Sequence, residues 1–434
     1  MDQLTLIDFA RAKKIIPEIR SVAGRENISP EFIVRGLASG RLVVPYNLLR
    51  RNKTPAKNFK ICAIGSGTRT KVNANIGTSP ECLSVQKEME KLNAAIDAGT
   101  DTVMDLSTGG NLRNILEKIL KHSNVPVGTV PIYQAVCEVT KKGKEIFNLE
   151  PERLFSVIEE HASLGVDFIT VHCGVTRKSV NSLLKKKRIC GVVSRGGAFL
   201  TEWIIKNEKE NPLYSDYERL LDIAHRYDVT LSLGDGMRPG SIADANDEAQ
   251  ISELKALSEL VKLARKRNVG VMVEGPGHMP LDKIKEHINL EKHLTDGAPF
   301  YVLGPVTCDV AVGYDHITSA IGGAVAAASG ADFLCYVTPS EHIHLPDVSD
   351  VKEGVIAARI AAHSGDIAKG IPGAFEWDRK FSKYRFNLDW FHQERTSIDP
   401  EKFKQQRRKF SPVQKDVCTM CGHFCSMKKI SGVL

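Results

Sequence analysis

A chain of 434 residues with 42% hydrophobic and 26% charged residues has the composition of a soluble globular protein with one large core and extensions. It holds no run of about 18 apolar residues, and its first twenty residues are charged and lack an apolar stretch with a small-residue cleavage site. A membrane span and a secretory leader are therefore not expected, and a cytoplasmic protein is. The net charge of +7 gathers in short clusters, residues 185–188 and 404–409, which read as solvated helix faces, so that neither a nucleic-acid nor a membrane partner is expected.

The first 98 residues read as a separate amino-terminal domain, with a β-like stretch at 58–65 and a polar segment from Arg69 to Asn75. From about residue 99 to 364 one pattern recurs: a short apolar run rich in β-branched residues, a polar loop, then a helical stretch. The runs are 102–106, 125–132, 167–171, 190–193, 229–233, 269–273, 300–303 and 332–337, with helical spacing at 151–163, 217–226, 251–266 and 351–363. Eight such units predict parallel strands with crossover helices, an α/β fold of (β/α)8 TIM-barrel type. Periodicity alone leaves a doubly wound open sheet as the competitor. Residues 365–434 lose the rhythm and read as charged helices followed by a polar tail.

Glycine and chemically capable side chains gather where the strands end, the face on which barrel enzymes carry their sites. Met104, Tyr133 and His172 are placed to line a pocket, and Asp235 and Arg238 to orient a sugar or a ring. Ser194, Arg195 and Gly196 supply a hydroxyl, a guanidinium and backbone amides at a strand-to-helix turn, suited to a phosphate; the bland reading of Arg195 is a surface salt bridge. His278 and His342, with Glu274 and Glu341 nearby, are candidate ligands of a divalent metal or plain hydrogen-bonding groups.

Ten cysteines are present, seven of them scattered and three, Cys418, Cys421 and Cys425, packed into eight residues near the carboxyl terminus. This is not the framework of a secreted disulfide protein. Three thiolates in one loop suit a [4Fe–4S] cluster with one iron left open to S-adenosylmethionine, or else a zinc site or an inert tail. A zinc-binding barrel without catalytic activity is the competing reading of the whole chain.

These motifs, together with Thr102-Val-Met-Asp-Leu-Ser107, Leu231-Ser-Leu-Gly-Asp235, Glu274-Gly-Pro-Gly-His278 and Gly313-Tyr-Asp-His316, resemble the phosphomethylpyrimidine synthase family of thiamine biosynthesis over nearly the whole chain. The resemblance implies a radical S-adenosylmethionine lyase acting on 5-aminoimidazole ribonucleotide, a homodimer, and an electron donor such as flavodoxin or ferredoxin. It implies substrate contacts at Asn75, Met104, Tyr133, His172, Ser194, Arg195, Gly196, Asp235, Arg238, Glu274 and Tyr301. Zinc or another divalent metal would sit on His278 and His342, and the cluster on the three tail cysteines. Thr68, Met237 and Val312 depart from the residues usual in the thiamine enzymes. Altered loops around kept substrate contacts tilt the expectation towards the family's sister branch, which makes 5-hydroxybenzimidazole for anaerobic cobamides, with the thiamine pyrimidine as the alternative product.

Overall fold

The computed structural model describes residues 4–54, 56–410 and 416–431. Its first elements are three helices, Leu6–Arg11, Pro17–Glu26 and Pro30–Ser39, and two short antiparallel strands, β1 (Leu42–Val43) and β2 (Ile64–Gly65). Eight parallel strands then close on themselves: β3 (Lys71–Ile76), β4 (Thr102–Asp105), β5 (Val127–Thr129), β6 (Phe168–Val171), β7 (Thr230–Leu233), β8 (Val271–Gly275), β9 (Phe300–Leu303) and β10 (Phe333–Cys335), with β10 pairing β3. The (β/α)8 barrel is therefore observed, and the open-sheet competitor falls. Residues 1–365 form one compact unit and residues 366–434 a second, which consists of helices ahead of the cysteine segment.

Two expectations are corrected. Residues 190–193 form no strand: Gly191 sits at φ +60°, Val193 is 42% exposed, and the amides of Ile189 and Cys190 donate to the Asp244 carboxylate instead of to a neighbouring strand. The missing barrel strand is β3, inside the segment assigned to an amino-terminal domain, so the barrel begins at Lys71 and not near residue 99. Its sequence, Lys-Val-Asn-Ala-Asn-Ile, disguised it because every inward residue is polar. Strands covered on both faces normally read as apolar runs, and this one satisfies its polar groups in pairs instead. Asn73 donates to Tyr301 Oη (2.8 Å) and accepts from Thr102 (2.7 Å), while Lys71 Nζ is 3.0 Å from Glu26 with both side chains buried.

The amino-terminal helices lie against the mouth where the strands begin, since their partners directly precede strands: Leu6 N–H donates to Asp228, and Arg50 pairs with Asp167 at 3.1 Å. Asp167 is wholly buried and also accepts from Val127 N (2.8 Å) and Asn47 N (3.1 Å), tying the start of β5 to the amino-terminal segment. Arg50 donates besides to Ser123 O at 2.6 Å and lies 4.6 Å over the Phe59 ring. Removing one partner of such a pair strands the other charge in a dry interior. Arg50→Met is expected to destabilise the barrel by about 3–5 kcal/mol, measured as a lowered midpoint in chemical denaturation followed by circular dichroism.

Candidate functional site

The opposite mouth, where the strands end, holds a cavity of about 490 Å³ of empty space, part of it continuous with solvent. Its wall takes one or two residues from nearly every strand or the loop behind it. Eight of the expected contacts line it: Asn75, Met104, Tyr133, His172, Asp235, Arg238, Glu274 and Tyr301. Ser194, Arg195 and Gly196 stand just behind. Ser194 Oγ lies 3.2 Å from His172 Nε2 and caps the helix Arg195–Asn207 by accepting from Gly197 N; the Arg195 guanidinium lies 4.7 Å over the Tyr133 ring. Gly196 is close enough to His172 that a Cβ would fall 2.3 Å from the imidazole. The first amides of a helix have no intrahelical acceptor, so this corner offers N–H groups, a guanidinium and the positive end of a helix dipole to an anion.

The ionisable groups of the wall are the carboxylates Asp235 and Glu274, the His172 imidazole and the Arg238 guanidinium, set among apolar and aromatic neighbours. Arg238 Nη1 donates to Asp235 Oδ1 at 3.1 Å, while Asp235 Oδ2 is buried without a partner. Burial pushes the Asp235 carboxyl well above the usual range, and the Arg238 charge draws it partway back. Glu274 is raised by burial too, although it accepts from Thr170 (2.8 Å) and Ser232 (2.5 Å). His172 is pushed down to about 3 by burial first and by Arg238 second, so its ring is neutral at pH 7, and its Nδ1 is buried without a partner. The cavity thus combines a carboxylate oxygen without a partner and a neutral imidazole with a corner suited to an anion.

His278 and His342 come together with ring centroids 5.2 Å apart. Each uses Nδ1 on a carboxylate, His278 on Asp309 at 2.8 Å and His342 on Asp315 at 3.2 Å, which leaves both Nε2 atoms for another partner. Among the described residues no group of three or more His, Cys, Asp or Glu side chains is gathered as a metal cage. In the second unit, Cys418, Cys421 and Cys425 lie around a short 3-10 turn, Gly422–Phe424. The amides of Cys421 and then Met420 hold the Cys418 thiol below its ordinary pKa. Backbone N–H groups aimed at sulfur favour the thiolate that an iron–sulfur cluster requires, and three cysteines are the donor set such a group takes, although their sulfurs are not drawn into one cage in this structure.

Several contributors escaped the sequence reading. Thr170, Ser232 and Cys335 are inward residues of β6, β7 and β10; a polar residue in the middle of an apolar strand was the available signal. Asp309 carried none, being an ordinary loop acid until the fold sets it beside His278, and Asp315, although inside the Gly313-Tyr-Asp-His316 motif, was given no role until the first turn of its helix brought it to His342. Arg188, read as part of a solvated basic face, has a side chain only 1% exposed and paired with Asp247. The three departures from the thiamine pattern all lie outside the cavity wall. Thr68 is 3% exposed, precedes the start of β3 at the far mouth and donates to Gly65 O at 2.8 Å. Val312 is 51% exposed, and the Met237 side chain is buried in the barrel core.

The model of the Radical SAM ThiC family matches residues 5–432. A relative from Desulforamulus reducens, named phosphomethylpyrimidine synthase, is 53% identical over 431 residues, covering 99% of this chain and 98% of its own. Relatives bearing the same name from Caldanaerobacter subterraneus (55% over 431 residues, 99% and 98%) and Dehalococcoides mccartyi (52% over 425 residues, 98% and 97%) agree with it. A match running from the first helix to the cysteine tail shows that the chain belongs to the radical SAM ThiC family, a family whose chemistry implies S-adenosylmethionine and an iron–sulfur cluster.

Proposed function

We propose that the protein is a phosphomethylpyrimidine synthase, which rearranges 5-aminoimidazole ribonucleotide into 4-amino-5-hydroxymethyl-2-methylpyrimidine phosphate for thiamine. The observation that carries this reading is the shared name of relatives more than half identical along the whole chain. It reverses the expectation of 5-hydroxybenzimidazole and its cobamide role. That expectation rested on Thr68, Met237 and Val312 altering the pocket, and none of the three lines it.

In this reading the ribonucleotide phosphate sits at Ser194, Arg195 and Gly196. Its aminoimidazole and ribose meet Asn75, Met104, Tyr133, His172, Asp235, Arg238, Glu274 and Tyr301. Asp235 Oδ2 and His172 Nδ1, buried and unpartnered, are where donors on the substrate are satisfied. Cys418, Cys421 and Cys425 hold a [4Fe–4S] cluster, which with S-adenosylmethionine supplies the 5′-deoxyadenosyl radical. His278 and His342 hold a zinc ion through Nε2. A homodimer is supported by Ile317 and Ile321, exposed one turn apart on the helix Asp315–Ser329 with Tyr314 exposed beside them. A reduced flavodoxin or ferredoxin is the electron donor. Residues 366–434 carry 14 Lys and Arg against 8 Asp and Glu, a net +6 of the chain's +7, which suits an acidic carrier at the cluster-bearing unit.

Expression in an anaerobic strain lacking its own pyrimidine synthase tests the product. Thiamine-free growth without benzimidazole in the medium is expected; fluorescent 5-hydroxybenzimidazole without rescue would overturn the assignment. Arg195→Ala is expected to weaken ribonucleotide binding by about 2–4 kcal/mol through lost charge-assisted hydrogen bonds, and Arg195→Lys to stay weak because the bidentate fork is gone. Direct titration of the ribonucleotide into the protein measures both. Asp309→Ala frees the His278 ring and is expected to lower zinc affinity roughly 10- to 100-fold, read by competition with a chromogenic chelator.

A further inference from the structure

Asp235 and Arg238 lie three residues apart on a turn that, left to itself, would let them neutralise each other. A guanidinium free to swing takes both oxygens of a neighbouring carboxylate. Here a single bond forms and Asp235 Oδ2 is left buried without a partner, so something holds the turn. The holding groups meet at the peptide units flanking Met237 Cα. On one side Met237 N–H donates to Glu253 Oε2 at 2.8 Å. On the other, Met237 O accepts from Arg188 Nη2 at 2.7 Å, and Arg188 Nη1 reaches Arg238 O at 3.4 Å and Gly191 O at 3.3 Å. Arg188 is itself fixed by two 2.6 Å bonds to Asp247. Asp247 caps the helix Glu248–Lys266, and Glu253 lies on its buried side, so one helix grips the turn by both routes.

We propose that Arg188 and Glu253, anchored through Asp247 and the helix behind them, are positioning residues for the ribonucleotide: they clamp Met237 from both sides and set Arg238 at the angle that keeps Asp235 Oδ2 open to the substrate. The inference rests on the reading of the cavity as the ribonucleotide site and adds residues that touch no ligand. Burial raises the Glu253 carboxyl well above the usual range. An uncharged carboxyl still accepts the Met237 amide through its carbonyl oxygen, a job glutamine also performs.

The test is ribonucleotide affinity of the full chain by isothermal titration. Arg188→Met is combined with Asp247→Asn so that no buried carboxylate is left unpaired, and asparagine keeps the helix cap. This pair and Glu253→Leu are each expected to weaken binding roughly 10- to 100-fold, the cost of a contact displaced by about 1 Å, and Glu253→Gln to restore the affinity that leucine loses. In an Arg238→Met background the same changes are expected to cost less than about 3-fold, because sites acting through one group are not additive. Binding as tight as wild type in the Arg188→Met/Asp247→Asn protein would overturn the clamp, as would an undiminished penalty in the Arg238→Met background. Failure of the wild-type chain itself to bind the ribonucleotide would instead remove the reading of the cavity beneath it.

Discussion

The active face depends on one close approach between two backbones. A Cβ on Gly197 would lie 2.2 Å from Gly236 O, and one on Gly236 would lie 3.0 Å from the Gly197 Cα and 2.2 Å from Val175. Side chains cannot be accommodated at that distance, so the loop after β7 and the start of the helix Arg195–Asn207 pack as bare backbone. The contact sets the cavity's polarity: one backbone brings Asp235 and Arg238, the other Ser194 and Arg195, and His172 is pressed between them against Gly196. The burial that depresses the His172 pKa and raises that of Asp235 follows from the same packing. An imidazole kept neutral by its surroundings donates or accepts a hydrogen bond without bringing a charge, which leaves Arg238 in the wall and the anion corner behind it as the positive features near the cavity.

The barrel was legible because its crossover helices carry strong apolar periodicity and its strands end in glycine and polar residues. The errors share a physical origin. The run at 190–193 is apolar but carries a glycine at positive φ and amides tied to Asp244, so it forms a loop. The strand β3 is polar but has Asn73, Tyr301 and Thr102 to bond with one another inside the barrel. Hydrophobic pattern measures the cost of burial before partners are known, whereas a folded barrel offers partners drawn from strands more than 200 residues apart. Long-range satisfaction of this kind leaves no local signal.

The site shows the same division. Tyr133, His172, Asp235 and Arg238 were readable as polar groups just past the strand ends, whereas Asn75 and Tyr301 came only from the family resemblance and Thr170 and Cys335 were missed inside their strands. Those that orient other residues were not readable: Asp309, Asp315, Arg188 and Glu253 lie in loops or on helices whose composition is unremarkable. Arg188 is instructive, because three lysines before it made a solvated face the economical reading. The lysines at 185–187 are exposed, and only the arginine turns inward, where its planar fork serves a carboxylate and backbone carbonyls at once. A lysine in its place has no such fork.

Product identity turns on the same distinction between touching and neighbouring. Thr68 and Val312 sit in segments that flank motif residues in sequence, and adjacency in sequence made them look like part of the pocket. In space Thr68 belongs to the far mouth of the barrel, where its hydroxyl closes a turn on Gly65 O, and Val312 faces outward on a loop. A radical rearrangement is steered by groups in van der Waals reach of the migrating atoms. A hydroxyl at the wrong end of an eight-stranded barrel, whose interior between the two mouths is filled by Phe168, Phe333 and Tyr301, exerts no such control. Control over the rearranging atoms is therefore to be sought among the residues of the cavity wall and the turns that aim them, a group that includes the backbone of Met237 but neither Thr68 nor Val312.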